Sequence, residues 1–251
     1  MRILMINPNT TAAMTQLMLA AARSAASPAT ELVALTAPRG VPYIATRAEA
    51  QIGGAIVLEM LAEDRTGSDA AIIAAFGDPG LMGARELFSL PVVGVSEAAM
   101  LTACMLGRTF SIVTFSRALG PWYRECVEIH GLTSRLASIR MVDRAFRSVI
   151  DVQEEHQDLL VSAANRAVAE DDADVVIFGG GPLAGLADKV KDRIDVPVVD
   201  PLAAAVKQAE ALHTLKARKA IKGSFRRPDP KAATGIPDAL ARHLEHKEEL
   251  F

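Results

Sequence analysis

The amino-acid sequence predicts an α/β fold made of two pseudo-symmetric halves, each a mainly parallel sheet flanked by helices, with a cleft between them. Three observations carry this. Short apolar segments alternate with amphipathic helical ones along the chain, as in sheets whose crossovers are helices. The apolar segments are continuous rather than alternating, the pattern of strands buried on both faces. The chain also echoes itself: "AAIIAAFGDPGL" (70–81) then "LPVVGVSEAA" (90–99) is matched by "DVVIFGGGPLAGL" (174–186) then "VPVVDPLAAA" (196–205). Each copy reads strand, glycine turn, helix, short strand, a Rossmann-like order.

In chain order, the first half takes strands at Arg2–Ile6, Glu31–Ala34, Ala70–Ala75 and Val92–Val95. Its helices are Thr11–Ala25, Ala48–Ala62 and Glu97–Leu106. The second half takes strands at Phe110–Thr114, Ser138–Met141, Val175–Phe178 and Val196–Val199, with helices at Trp122–Ile129 and Val152–Ala169. The helix Leu202–Leu212 is expected to cross back onto the first half. That divides the chain into 1–104 plus 200–222, then 105–199. The segment from Gly223, "GSFRRPDPKAATGIPD", is turn-rich and makes 223–251 an irregular C-terminal extension ending in a charged helix or loose tail.

Composition narrows the function classes. With 251 residues, half of them apolar, the chain can bury a substantial core. A net charge of −3 provides no field to attract nucleic acid or an anionic membrane. The basic run Lys216–Lys222 with Arg226 and Arg227 reads as a solvated face and tail. No window reaches the roughly 18 apolar residues of a membrane span, and the N-terminal apolar run is too short for a secretory signal. Cys104 and Cys126 sit in helical patterns, with neither metal-ligand nor disulfide spacing. His130, His156, His213, His243 and His246 are scattered, so no metal is expected. A cytoplasmic homo-oligomer that needs no cofactor is the expectation.

In open α/β sheets ligands bind beyond the carboxyl ends of the strands, and the polar motifs cluster there. "INPNTT" brings Asn7, Asn9, Thr10 and Thr11 to the end of the first strand, with Thr11 a candidate helix N-cap. Turn-and-cap chemistry explains the same tetrad. "VPYIATRAEA" offers Tyr43, Thr46, Arg47 and Glu49 at the start of a helix, where Arg47 could meet a carboxylate or pair with a surface glutamate. Ser96 and Glu97 open a helix, and Thr114 and Ser116 follow a strand; capping accounts for both pairs. "FGGGPLAG" is not a dinucleotide fingerprint, and "GDPG" lacks the lysine of a phosphate loop.

Taken in order, "INPNTT", "AAFGDPGL", "VVGVSEAAM", "FSIVTF" and the "FGGGPLAGLA … VPVVDPLAAAV" pair resemble the hydantoin and allantoin racemases of the aspartate/glutamate racemase superfamily, from Arg2 to about Ala211. The resemblance implies a small carboxylate or cyclic amide as substrate. It also implies two cysteines facing each other across the cleft, one removing and one returning the proton α to a carbonyl. In the family patterns "CFGDPG" and "GCAG" those cysteines fall where this chain has Ala75 and Gly180. The residues around Gly180 differ from the pattern too, which reads as natural divergence rather than one engineered replacement.

Two-base racemisation needs an acid and a base in reach of the reacting carbon, which alanine and glycine cannot supply. The leading expectation is therefore a cofactor-independent enzyme of hydrolase or lyase type. The Asn7–Thr11 loop and the Gly179–Gly181 N–H groups would act as an oxyanion hole, and Asp78 is the candidate base. Racemisation through Asp78 or Tyr43 is one alternative, and a non-catalytic small-molecule binder is another. The expected cleft is lined by Asn7, Asn9, Thr10, Tyr43, Ala75, Phe76, Gly77, Ser96, Thr114, Ser116, Gly179, Gly180, Gly181 and Pro182.

Overall fold

The computed structural model describes residues 1–216 and 218–248. Residue 217 of the basic run and residues 249–251 of the C-terminal extension lie outside the described residues. The chain runs β1 Arg2–Asn7, α1 Ala12–Ala25, β2 Glu31–Thr36, α2 Arg47–Glu63, β3 Ala70–Ile73, α3 Leu81–Leu87, β4 Val92–Gly94 and α4 Val95–Leu106. It continues with β5 Phe110–Thr114, α5 Leu119–Ile129, β6 Leu136–Met141, α6 Val152–Asp171, β7 Val175–Phe178, α7 Leu186–Val190, β8 Val198–Val199, α8 Pro201–Thr214 and α9 Asp238–Leu244. Two four-stranded sheets result, ordered β2-β1-β3-β4 and β6-β5-β7-β8. Every pairing is parallel.

The continuous apolar strands are buried on both faces, as their pattern requires. Ile3, Met5 and Ile72 face a core that runs on without interruption into the second sheet through Ile112, Val176 and Ile177. Their neighbours Leu4, Ile6, Ala71 and Ile73 face a separate layer under α2, α3 and α9. Alternate side chains of one strand thus serve two cores. Among the described residues of the extension α9 is the helix, set against α2 by the buried Ala239 and Leu240.

Several boundaries differ from the sequence reading. Val95 opens α4 instead of closing β4. β8 keeps only Val198 and Val199, after a proline that has no N–H for the ladder. α5 begins earlier than Trp122 because Pro121 fits a first helical turn, where its missing N–H is no loss. Thr11 occupies the N-cap position of α1, but its hydroxyl donates to the Pro42 carbonyl at 2.6 Å instead of capping. Thr46 does cap, forming a reciprocal capping box with Glu49 on α2.

α8 packs on α1, α4, β3 and β4 of the first sheet. Glu210 fastens it there: its carboxylate accepts from Ser27 N (2.8 Å), Ser27 Oγ (2.9 Å) and Thr30 Oγ1 (2.6 Å), and pairs with Lys207. Burial works to raise its pKa, but these donors outweigh burial and hold the group at about 2, against an ordinary 4.5. A depressed carboxylate contributes stability above its unfolded pKa and loses it as pH falls through the folded one. Glu210→Gln should therefore lower Tm near neutral pH, and the gap to the parent should close between pH 4.5 and about 2. A gap unchanged by acid in a pH series of thermal melts would refute this.

Candidate functional site

The carboxyl ends of β1, β3, β5 and β7 converge on one small cavity between the sheets, of about 30 Å³. Asn9 and Tyr43 line it from the first half's loops, Ala74, Ala75 and Phe76 from the end of β3, and Gly180, Gly181 and Pro182 from the end of β7. Met14 and Met18 of α1, Phe115, and Leu119, Trp122 and Tyr123 of α5 complete the lining. Phe76 packs on Tyr123 with ring centroids 4.6 Å apart and planes tilted by 53°, and Tyr43 lies 6.4 Å from Phe115, tilted by 46°. The β3 and β7 loops meet here because Gly179 has no side chain: a Cβ would stand 2.9 Å from Ile112 and 3.2 Å from the Phe76 ring.

The chemistry of this lining is unusual for an active site. Among the described residues it contains no cysteine, histidine, carboxylate or lysine. Its polar side-chain groups are the Asn9 amide, the Trp122 indole N–H and two phenols. Burial raises the Tyr43 pKa, with Glu49 adding to the effect. Burial also pushes Tyr123 far above the usual phenol range, with the facing Thr114 hydroxyl offsetting a little of it. Both phenols are therefore proton donors at neutral pH, not bases. The N–H groups of Ala75, Phe76, Gly180 and Gly181 carry no hydrogen bond among the described residues, which leaves donors at both strand ends.

At Gly180 the backbone is left-handed, φ +124°, and a Cβ would lie 2.9 Å from the Phe115 ring and 3.4 Å from the Tyr123 hydroxyl. The space beside the second strand end is filled by an aromatic edge and a phenol. Tyr123, Trp122, Phe115, Met14 and Met18 were not singled out from sequence, since aromatic and Met residues on helical spacing read as core. Only Tyr123 carries a reactive group.

The remaining expected site residues stand behind the lining. Asn7 is fully buried, its amide donating to Asn9 Oδ1 (3.1 Å) and Thr15 Oγ1 (2.9 Å), which shapes the loop. Thr10 is tied back through its N–H to Val41 O. Ser116 Oγ accepts from Ala118 N at the head of α5, and Thr114 is buried. Arg47 is held by Glu125 of α5 in a forked pair.

Asp78 also lies outside the lining, contrary to its expected role as base. It adopts a left-handed φ of 49° that turns its carboxylate away from the cleft onto the start of α4. There Oδ1 accepts from Ser96 N at 2.9 Å and Oδ2 from Glu97 N at 2.8 Å. The helix N-terminus with its partial positive charge accounts for the placement. Ser96 is likewise turned inward, its Oγ accepting from Gly77 N at 3.1 Å and lying 3.3 Å from Cys126 Sγ.

Around these groups a cluster forms that sequence reading missed. His130, at the end of α5, places Nε2 3.6 Å from Asp78 Oδ2 and Nδ1 3.3 Å from Glu97 Oε1. Arg85 holds Glu97 from the other side with a two-pronged contact. Burial raises the Glu97 pKa, but hydrogen bonds from His130 and Arg85 outweigh it and bring the carboxyl to about 2. For His130, burial acts to lower the pKa, but hydrogen bonds to Asp78, Cys126 and Glu97 prevail and raise it to about 11. Donor atoms of Asp78, Cys126 and His130 lie within 4.8 Å of one another. Cys126 and His130, four apart on one helix, were the only signal in the sequence.

The profile described as Asp/Glu/Hydantoin racemase matches residues 3–209. A hydantoin racemase of Paenarthrobacter aurescens is 34% identical over 92% of this chain and 99% of its own length. A hydantoin racemase of Pseudomonas sp. (strain NS671) is 32% identical over 97% and 98%. Among solved structures, an allantoin racemase from Klebsiella pneumoniae superposes with a TM-score of 0.89 at 37% identity, covering 95% of this chain and 98% of that one. Arylmalonate decarboxylase, at 18% identity and a TM-score of 0.59, shares the fold. With the family profile spanning most of both halves and relatives above 30% identity across the whole domain, the chain belongs to the Asp/Glu/hydantoin racemase family.

Proposed function

We propose that the protein is a cofactor-independent enzyme that binds a small cyclic amide or carboxylate in this cleft and acts on it by lyase- or hydrolase-type chemistry. The observation that carries this reading is a lining rich in hydrogen-bond donors, with Ala75 and Gly180 at the strand ends and no base. Such a site can stabilise negative charge on a carbonyl oxygen without removing a proton from carbon. In a lyase step on a carboxylate substrate, the C–C bond between the α-carbon and a carboxylate breaks, the carboxylate departs as CO2, and the bonding pair moves into the neighbouring carbonyl. The N–H groups at Ala75, Phe76, Gly180 and Gly181 hold the resulting enolate oxygen. Tyr123 then gives its proton to the carbon on one face and recovers one from water. One acid on one face suffices, whereas racemisation requires two groups.

Tyr123→Phe tests this on the activity itself. With enantiopure hydantoins, allantoin and small carboxylates as substrates, and NMR reading product in deuterated water, kcat should fall about 10²–10³-fold. KM should change little, because the phenyl ring keeps its place against Phe76. An unchanged kcat would remove Tyr123 from the reaction. The same lining also favours a second reading, a non-catalytic binding protein, since no cleft group titrates near neutral pH. Calorimetric binding of these compounds without turnover of any of them would select it. Rapid loss of optical rotation from a single enantiomer would instead establish racemisation and overturn both.

A further inference from the structure

The Asp78–Cys126–His130 cluster lies on the far side of Gly77 and Trp122 from the cleft and takes no part in the chemistry above. It opens onto its own cavity of about 490 Å³, lined also by Gly80 of the β3–α3 loop and Gly54 of α2. We propose that Asp78, Cys126 and His130 bind one Zn²⁺ ion.

The donor set is one carboxylate, one thiol and one imidazole, the oxygen, sulfur and nitrogen ligands that zinc takes in tetrahedral sites. With metal–ligand bonds of about 2.0–2.3 Å, neighbouring donors of a tetrahedron stand about 3.3–3.6 Å apart. His130 Nε2 and Asp78 Oδ2 are already 3.6 Å apart, and the ion would take the place of the proton between them, so that binding releases the protons of the His130 ring nitrogen and the Cys126 thiol. Asp78 can keep its N–H contacts to Ser96 and Glu97 while using a second lone pair on the metal. The surrounding shell is also that of a metal site. A ligating histidine usually gives its other ring nitrogen to a carboxylate that fixes its orientation; here His130 Nδ1 faces Glu97 Oε1 at 3.3 Å, and Arg85 secures that carboxylate in turn. All three residues line the cavity, which would admit the ion and a water as fourth ligand.

The two helix ligands come from α5 of the second half and Asp78 from the β3–α3 loop of the first. The ion would staple the loop that carries Ala75 to the opposite half, giving it a structural role that is independent of the reaction in the cleft.

Co²⁺ added to chelator-treated full-length protein provides the test. One equivalent should bind and give visible bands of tetrahedral intensity together with a thiolate-to-cobalt charge-transfer band in the near ultraviolet. Zn²⁺ should displace it and raise Tm. Cys126→Ser should abolish the charge-transfer band, while Cys104→Ser, at the only other cysteine, should keep it. Glu97→Gln should weaken binding about 10–100-fold by releasing the His130 ring. The parent spectrum alone decides the matter if Cys126→Ser fails to fold. No binding at micromolar Co²⁺, binding without the charge-transfer band, or a band lost in Cys104→Ser would each overturn the proposal.

Discussion

Ala75→Cys should exchange the α-proton of one hydantoin enantiomer with deuterated solvent and leave its mirror image untouched. The parent should exchange neither at a useful rate. Ala75 sits at the end of β3 in the cleft lining with an ordinary backbone conformation, so a cysteine there meets no backbone strain. Unbonded N–H groups at Ala75 and Phe76 stabilise a thiolate there. A single positioned base contributes about 10²–10⁴-fold, and that is the gain expected for the enantiomer whose proton faces β3. The opposite face behaves differently. Gly180→Cys places a side chain on a left-handed backbone and drives its Cβ to 2.9 Å from Phe115, at a cost of about 1–3 kcal/mol for the backbone alone. Restoring both thiols therefore requires Phe115 to shrink as well. Equal exchange of both enantiomers by Ala75→Cys, or none in a variant that melts like the parent, would show that substrate does not sit between these strand ends.

Gly94→Ala should be among the most destabilising single-methyl additions in the molecule. Its backbone, φ −89° and ψ 139°, is one that alanine adopts freely. The difficulty is steric: the new Cβ would stand 2.3 Å from Asp78 Cγ and 2.4 Å from Oδ2. The carboxylate must leave the start of α4, which strands two helix N–H groups and breaks the contact with His130. Overpacking and loss of a cap together suggest a loss of about 3 kcal/mol, or roughly 10 °C in Tm for a chain of this size. Gly67→Ala is the control. There φ is +65° but nothing lies within 4 Å, so only the backbone strain of about 1 kcal/mol remains. Equal Tm losses in the two variants would mean that Asp78 is not a structural cap.

What could be read from the sequence follows from distance along the chain. The two sheets were legible because each strand is a local apolar run, and the self-echo at 70–81 and 174–186 supplied the pairing of halves. The family was legible because its motifs are contiguous words. Asp78 was visible but its direction was not, because the left-handed turn at that residue decides whether it faces the cleft or α4. His130 read as one more scattered histidine, since its partners Asp78 and Glu97 arrive from the other half. Tyr123 was hidden by its type: a buried tyrosine on a helix differs from a core residue only through what lies opposite, here Gly180.

The seating of α8 has a consequence for how the chain leaves the ribosome. The second sheet and its helices are contiguous in sequence and are complete once β8 has emerged. The first sheet is not: its Ile3–Met5–Ile72 face lacks α8 until residue 214 has been synthesised. During translation the N-terminal strands therefore lack the cover of α8 until it has emerged. The nascent first half is the portion most exposed to chaperones and to misassociation between neighbouring chains.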